Sequence, residues 1–413
     1  MMQPIQKMLP VLFTASLLAV SVQQAIASET DEFMPLSGEE KQYMIKFKAG
    51  STIQALGPQA DSYLSAGERK QKFSRKGAMT LLRQVQVQEA NHLDAFNVSV
   101  AKLNAQQLEA LKNNPSVAYV EEDPKRYLLA ESVPYGITMV QAPQVSDALT
   151  TNIKACIIDT GYNYGHPDLP SSGVTGYAFS GHGSWSTDGN GHGTHVAGTI
   201  AAIGGNNIGV VGVNRSAKLG LHIVKIFNDS GNWTTASNLI QAIQSCKNAG
   251  ASVVNMSLGG SSSSTTENTA MTNFYNGGML LVAAAGNAGT SAFSYPASYS
   301  AVMSVAAVNS SKVRASFSQY NSQVEISGPG VSVNSTYKNS TYSSLSGTSM
   351  ASPHVAGVAA LVWSQHRNCS AAKIRAALNA TAEDRGTAGR DTQYGWGIVR
   401  AKAAVDYLNI NRC

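Results

Sequence analysis

Three short segments of this 413-residue chain carry an acid, a base and a nucleophile in surroundings that suit acyl transfer. Ala155-Cys156-Ile157-Ile158-Asp159-Thr160-Gly161 is an apolar strand pattern ending in a carboxylate and a glycine turn. Gly191-His192-Gly193-Thr194-His195-Val196-Ala197-Gly198-Thr199 sets a glycine-flanked histidine at the start of a small-residue helix. Gly347-Thr348-Ser349-Met350-Ala351-Ser352-Pro353 delivers one serine to the first turn of an apolar helix that runs to Trp363. Helix N-termini carry unpaired N–H groups and partial positive charge, so a serine there can share its site with a developing oxyanion. Pro353 fits an early helical turn, where no N–H partner is lost. Taken singly, each residue has a plainer reading: Asp159 a loop residue, His192 a surface turn, Ser349 a helix cap. Together they supply a nucleophile, a base, and a carboxylate that fixes the base's tautomer and stabilises its cation.

On these segments, in the chain order Asp, His, Ser, and from about Val133 to Asp406 around them, the sequence resembles the subtilisin-like serine protease family. The resemblance implies that Ser349 attacks the peptide carbonyl, His192 carries the proton and Asp159 orients His192. It also assigns the side-chain amide of Asn287, within Ala283–Gly289, to an oxyanion hole shared with the Ser349 N–H; a turn asparagine is the plain alternative. His195 is expected as a helix residue behind the site. A zinc-protease reading needs two histidines four apart with a glutamate between, which His-Gly-Thr-His lacks.

Ser257-Leu258-Gly259-Gly260 and Ala284-Ala285-Gly286 resemble the two walls of the family's primary specificity pocket, with exposed backbone edges suited to an extended peptide. Ser294 is expected at its floor, and no acid appears there to select Arg or Lys, so a large apolar P1 residue is expected. Leu258 and Leu239 are expected to line a second apolar pocket, against plain core packing. The segment Gly204–Val210 resembles the family's calcium loop. The implied ligands are the side chains of Glu131, Asp168 and Asn206 and the carbonyls of Gly204, Ile208 and Val210, a hard-oxygen set. Glu131 stands where the family commonly has an amide, and a metal-free turn is the alternative.

The elements that must position these residues read as α/β. Apolar strands at 155–158, 221–226, 253–258, 280–284 and 302–308 alternate with helical stretches at 193–202, 235–247 and 350–363. This predicts a doubly wound, mostly parallel sheet with helices on both faces, and a site off the carboxyl ends of its strands. Residues 28–129 differ. A half-buried strand at 41–48, a helix at 105–113 and a strand at 117–123 make a small α+β unit, which resembles an inhibitory propeptide. An independent accessory domain is the alternative.

Lys7, the apolar run Met8 to Val20 and Ala25-Ile26-Ala27 read as a secretory signal over residues 1–27. The expected organisation is therefore signal peptide 1–27, propeptide 28–129 and catalytic domain 130–413, for a secreted, extracellular monomer without a membrane anchor after signal removal. Export favours disulfides among the four cysteines, although three connectivities are open. Cys369 and Cys413 bracket the C-terminal helical segment, leaving Cys156 with Cys246, or that second pair as buried free thiols. With 30 basic and 25 acidic residues the net charge is only +5, and the late basic residues have no interleaved aromatics, so a nucleic-acid partner is not expected.

The expected activity is that of a secreted serine endopeptidase acting on proteins and peptides, with structural Ca2+ and no catalytic cofactor. It is expected to cut itself after Leu129, before the segment Val133-Pro134-Tyr135-Gly136 that resembles the start of mature subtilisins, and to retain the propeptide first as an intramolecular inhibitor. Two alternatives stand beside it. A catalytically silent binding protein would lack a triad or oxyanion residue. An α/β-hydrolase esterase would need Gly-x-Ser-x-Gly and the order Ser, Asp, His, which Ser349 does not provide.

Overall fold

A computed structural model describes residues 41–124 and 131–413. The signal segment and the expected cut between Leu129 and Ala130 lie outside the described residues. The chain forms two compact units, divided between Tyr127 and Leu128.

The first unit is an antiparallel sheet in the order β2-β3-β1-β4, from Lys41–Phe47 (β1), Asn91–Leu93 (β2), Val98–Leu103 (β3) and Val117–Glu122 (β4). Its two longest helices are Arg75–Arg83 (α1) and Ala105–Lys112 (α2), the latter opened by a reciprocal cap between Asn104 and Gln107. Alternation along β1 buries Ile45 and Phe47 against Phe73, Leu82 and Leu111. The sequence pattern foretold β1, α2 and β4 but not β2, β3 or α1. In β3 the buried Ser99 breaks the apolar alternation, and only its distant partner, His92 Nδ1 at 2.8 Å, makes that burial tolerable.

The second unit is built on seven parallel strands in the order β11-β10-β9-β8-β5-β7-β6. They are Lys154–Asp159 (β5), Val174–Ala178 (β6), Gly220–Lys225 (β7), Val253–Met256 (β8), Leu280–Ala284 (β9), Val302–Val308 (β10) and Val324–Pro329 (β11). The central strands read as unbroken apolar runs because both faces are covered. Ala155 and Ile157 pack into a core with helices His192–Ala201 (α3) and Thr348–Gln365 (α6). Cys156 and Ile158 face the opposite core, with helices Ala236–Asn248 (α4) and Thr265–Asn276 (α5). The fold is thus doubly wound. Helices Ala371–Ala380 (α7) and Ala401–Asn411 (α8) follow, and an antiparallel hairpin, Val333–Tyr337 (β12) with Thr341–Leu345 (β13), packs on α3.

The cysteines form two bridges. Cys156–Cys246 ties β5 to α4, and Cys369–Cys413 ties the approach to α7 to the chain end. Among the described residues no helix is long and apolar enough to cross a membrane.

Candidate active site

Asp159 is the last residue of β5 and is buried. Its Oδ1 accepts from His192 Nδ1 at 2.7 Å and from the Thr160 N–H at 2.8 Å. Its Oδ2 has no hydrogen-bond partner among the described residues. His192 opens α3 directly after Gly191, whose φ of 100° is left-handed backbone that suits glycine. Gly193 is required by contact. A Cβ there would lie 2.3 Å from the Gly161 oxygen and 3.2 Å from Asp159 Cβ, so only glycine lets α3 close on the turn after β5. Burial disfavours the His192 imidazolium, but the Asp159 carboxylate, its hydrogen bond and the Asp188 charge outweigh this and hold the pKa above its ordinary value. With Nδ1–H given to Asp159, Nε2 is the nitrogen left to exchange a proton.

His195, three residues on, is fully buried, and its Nε2 bonds the carbonyls of Val333 and Ser343 on the β12–β13 hairpin. Burial pushes its pKa down to about 3, so it is a neutral anchor between α3 and the hairpin.

Ser349 is the second residue of α6. The residue before it is the fixture: Thr348 N–H and Oγ–H both donate to Asn287 Oδ1 at 2.8 Å, while the Gly286 N–H donates to Thr348 Oγ at 3.1 Å. This sets the oxygen of the Asn287 amide toward the helix start; a Cβ added at Gly347 would meet Asn287 Nδ2 at 3.5 Å and the Ser349 nitrogen at 3.6 Å, so both nitrogens border the same spot. The Ser349 N–H belongs to the first turn, where no intrahelical acceptor exists. In this conformation Ser349 Oγ donates to the Ser257 carbonyl at 3.2 Å, and Ser257 Oγ donates to the Ser349 carbonyl at 2.8 Å. Buried Asn255 continues the chain, giving Nδ2–H to Ser257 Oγ and accepting from Ser352 Oγ. Helix α6 is therefore pinned to the end of β8.

The two expected pocket walls follow β8 and β9, but their backbone edges are shorter than the sequence pattern suggests. Gly260 exchanges both of its hydrogen bonds with Tyr295, leaving Ser257, Leu258 and Gly259 on the first wall. On the second, Ala284 lies within β9, the Ala285 N–H bonds Val305, and Gly286 is taken on both sides by Thr348 and Gln319. Ser294 Oγ comes so close to Gly259 that a Cβ there would sit 2.5 Å from it. Gln319, which the sequence reading missed, covers Gly286 and donates to the Ala292 carbonyl. Leu239 is buried in the core of α4, with Leu258 packed against that core, so Leu239 is a packing residue here.

In the loop 204–210, Asp168 is fully buried and accepts from Asn206 Nδ2 at 2.7 Å and from the Val210 N–H at 2.8 Å. Glu131 Oε2 accepts from the N–H groups of Gly205 and Asn206. Burial, with the charge of Glu131, pushes Asp168 up to about 6. Two carboxylates thus meet at a loop rich in amide and carbonyl oxygen, a donor set that suits a hard cation. No three His, Cys, Asp or Glu side chains converge on one metal position among the described residues, so the carbonyls of Gly204, Ile208 and Val210 would have to complete it.

The chain matches known proteins along most of its length. Residues 150–397 match the model of the Subtilase family, and residues 42–129 match that of Peptidase inhibitor I9. The chain is 38% identical to M-protease of Shouchella clausii, over 95% of this chain and 97% of that protein. It is 39% identical to Subtilisin J of Geobacillus stearothermophilus, over 96% of each. Among solved structures, the psychrophilic subtilisin-like protease Apa1 from the Antarctic psychrotroph Pseudoalteromonas sp. AS-11 superposes with a TM-score of 0.65 at 37% identity, covering 68% of this chain and 98% of that one.

Proposed function

This chain belongs to the subtilase family as a serine endopeptidase with an inhibitor-type propeptide, and we propose that Asp159, His192 and Ser349 are its catalytic triad. Ser349 Oγ turns from the Ser257 carbonyl to His192, attacks the scissile carbonyl and passes its proton to Nε2. Asp159 holds the imidazolium through Nδ1. Asn287 Nδ2 and the Ser349 N–H take the oxyanion, which strengthens these bonds as charge develops. Collapse expels the amine with the proton from His192, and water then releases the acyl group by the same path. These steps need no cofactor.

The observation that carries this reading is the 2.7 Å bond from His192 Nδ1 to Asp159 Oδ1. Ser349 stands at a helix N-terminus, and its Oγ bonds the Ser257 carbonyl in this conformation. A purified, processed chain should hydrolyse casein, and Ser349→Ala should abolish that activity with the fold intact. Residual hydrolysis near the wild-type rate would remove Ser349 as nucleophile.

The finer assignments belong to the same proposal. Ser257, Leu258, Gly259, Ala284, Ala285, Gly286 and Ser294 surround a P1 site without a charged floor, which suits large apolar side chains. Gly260 contributes its backbone to Tyr295 and only shape to the site. Glu131, Asp168 and Asn206, with the carbonyls of Gly204, Ile208 and Val210, would hold a structural Ca2+ that relieves the repulsion between two carboxylates. The product is secreted and acts as a monomer, and residues 28–129 fold as the propeptide that the catalytic domain, 130–413, removes from itself.

A further inference from the structure

We propose that Asp188 is a positioning residue of the catalytic pair, a buried carboxylate that fastens the turn after Asp159 to the helix start that carries His192. The sequence gives no hint of it beyond an aspartate in a polar turn four residues before the histidine. Its Oδ1 accepts from Thr160 Oγ at 2.9 Å and from the Gly191 N–H at 2.8 Å. Its Oδ2 accepts from the Thr194 N–H at 2.8 Å and Thr194 Oγ at 2.6 Å. Thr160 is the residue after Asp159; Gly191 is the residue before His192. The Thr160 hydroxyl also accepts from the Gly193 N–H at 2.9 Å, on the far side of His192. One carboxylate and one hydroxyl therefore bracket the base on both sides and join it to the neighbour of the acid.

The arrangement exceeds what a helix cap requires. Gly191 stands at the cap position with no side chain, and Asp188 reaches in from outside to satisfy donors of the first turn. A cap has no need of the fourth donor, the Thr160 hydroxyl, which lies on a different segment. The same junction is stitched again by Lys225 at the end of β7. Its fully buried Nζ donates to the carbonyls of Thr160 at 2.6 Å and Thr187 at 3.1 Å, and meets Asp229 Oδ1 at 2.6 Å. Thr187 directly precedes Asp188. The two loops thus hold one another at both the carbonyl and the carboxylate, and the Asp159–His192 bond lies across the seam.

Charge matters as well as geometry. The titratable and charged groups around His192 are Asp159 from β5, Asp188 from the preceding turn and His195 from its own helix. Further out stand Lys225 with Asp229, and Tyr337 and Lys338 from the hairpin. His195 is neutral, and Lys225 is turned to its carbonyls and Asp229. Removing the Asp188 charge therefore makes the His192 imidazolium easier to deprotonate.

The inference rests on the proposed triad, with His192 as base and Asp159 holding it, and the Ser349→Ala assay tests the nucleophile of that triad on its own. Asp188→Asn keeps the shape but replaces one acceptor oxygen by a donor and removes the charge. On a soluble peptide substrate we expect kcat to fall about 10-fold or more with KM within about threefold, and the acid limb of kcat/KM to move to lower pH. A folded Asp188→Asn with kcat within about twofold of wild type and an unmoved acid limb, whatever its thermal stability, overturns the proposal and leaves Asp188 a simple cap. Should Asp188→Asn fail to fold, Thr160 decides. Thr160→Val, which cuts the link but keeps the charge, should lose kcat while Thr160→Ser retains it; equal kcat in wild type, Val and Ser variants overturns the proposal.

Discussion

The Asn287 amide is held by its oxygen, which accepts two hydrogen bonds from Thr348, and its Nδ2 borders Gly347 as the Ser349 nitrogen does. A donor placed this way contributes to the transition state more than to substrate binding. Asn287→Leu should lower kcat by about 10²–10³, a magnitude known for subtilisins, with KM changed only a few-fold. Steady-state kinetics check it, and a change confined to KM would place Asn287 in ground-state binding. His192 gives a second prediction at this scale. As the proposed base it must be neutral to accept a proton, and Asp159 and Asp188 stabilise its charged form against the cost of burial. Its folded pKa is raised, so the neutral fraction grows only at higher pH. The acid limb of kcat/KM should therefore have its midpoint above the ordinary histidine value of 6.5. A midpoint below that value would show burial outweighing the two carboxylates. The same shift means that protonated His192 favours the fold at low pH, a contribution lost as pH rises through the raised pKa.

At the scale of elements, the loop 204–210 makes the sharpest prediction. Asp168 and Glu131 approach one another there, and burial already pushes Asp168 up to about 6. A chelator should shorten the thermal inactivation half-life of the mature enzyme, and added Ca2+ should restore it, with the initial rate on peptide unchanged. Equal half-lives with and without chelator would make this a metal-free turn. Elements also divide what was legible in the sequence from what was not. The core strands β5, β8, β9 and β10 announce themselves as apolar runs, because both of their faces are buried. The hairpin β12–β13 does not. Its serines and threonines read as loop, and they become structure by bonding α3, Ser335 to the His195 carbonyl and Thr336 to that of Thr194. In β11 the buried Glu325 hides the strand, since its partners Arg375 and Asn379 lie some fifty residues on. The proposed triad was readable because each member has glycine close by: Asp159 before Thr160-Gly161, His192 between Gly191 and Gly193, and Ser349 after Gly347-Thr348. Asp188, Thr348 and Gln319 were not, because their meaning lies in bonds to segments far along the chain.

The whole molecule is organised as a protease unit preceded by a unit of the peptidase-inhibitor type. This order gives a maturation prediction. Leu129 is an apolar residue of the kind the proposed uncharged P1 site should accept, so wild-type chain should yield a mature N-terminus at Ala130. Ser349→Ala, expressed without other proteases, should accumulate as one unprocessed chain that begins near Ser28. A mature Ala130 terminus in that variant would assign processing to another protease.

The account stands most directly on Ser349 as the single activated nucleophile. A fluorophosphonate, which phosphonylates an activated serine with loss of fluoride, applied to the mature enzyme and mapped by peptide mass spectrometry, measures this directly. The expected result is one equivalent per chain on Ser349, with labelling strongly slowed in His192→Ala. A label on any other serine, or full casein hydrolysis by enzyme fully labelled at Ser349, would contradict it.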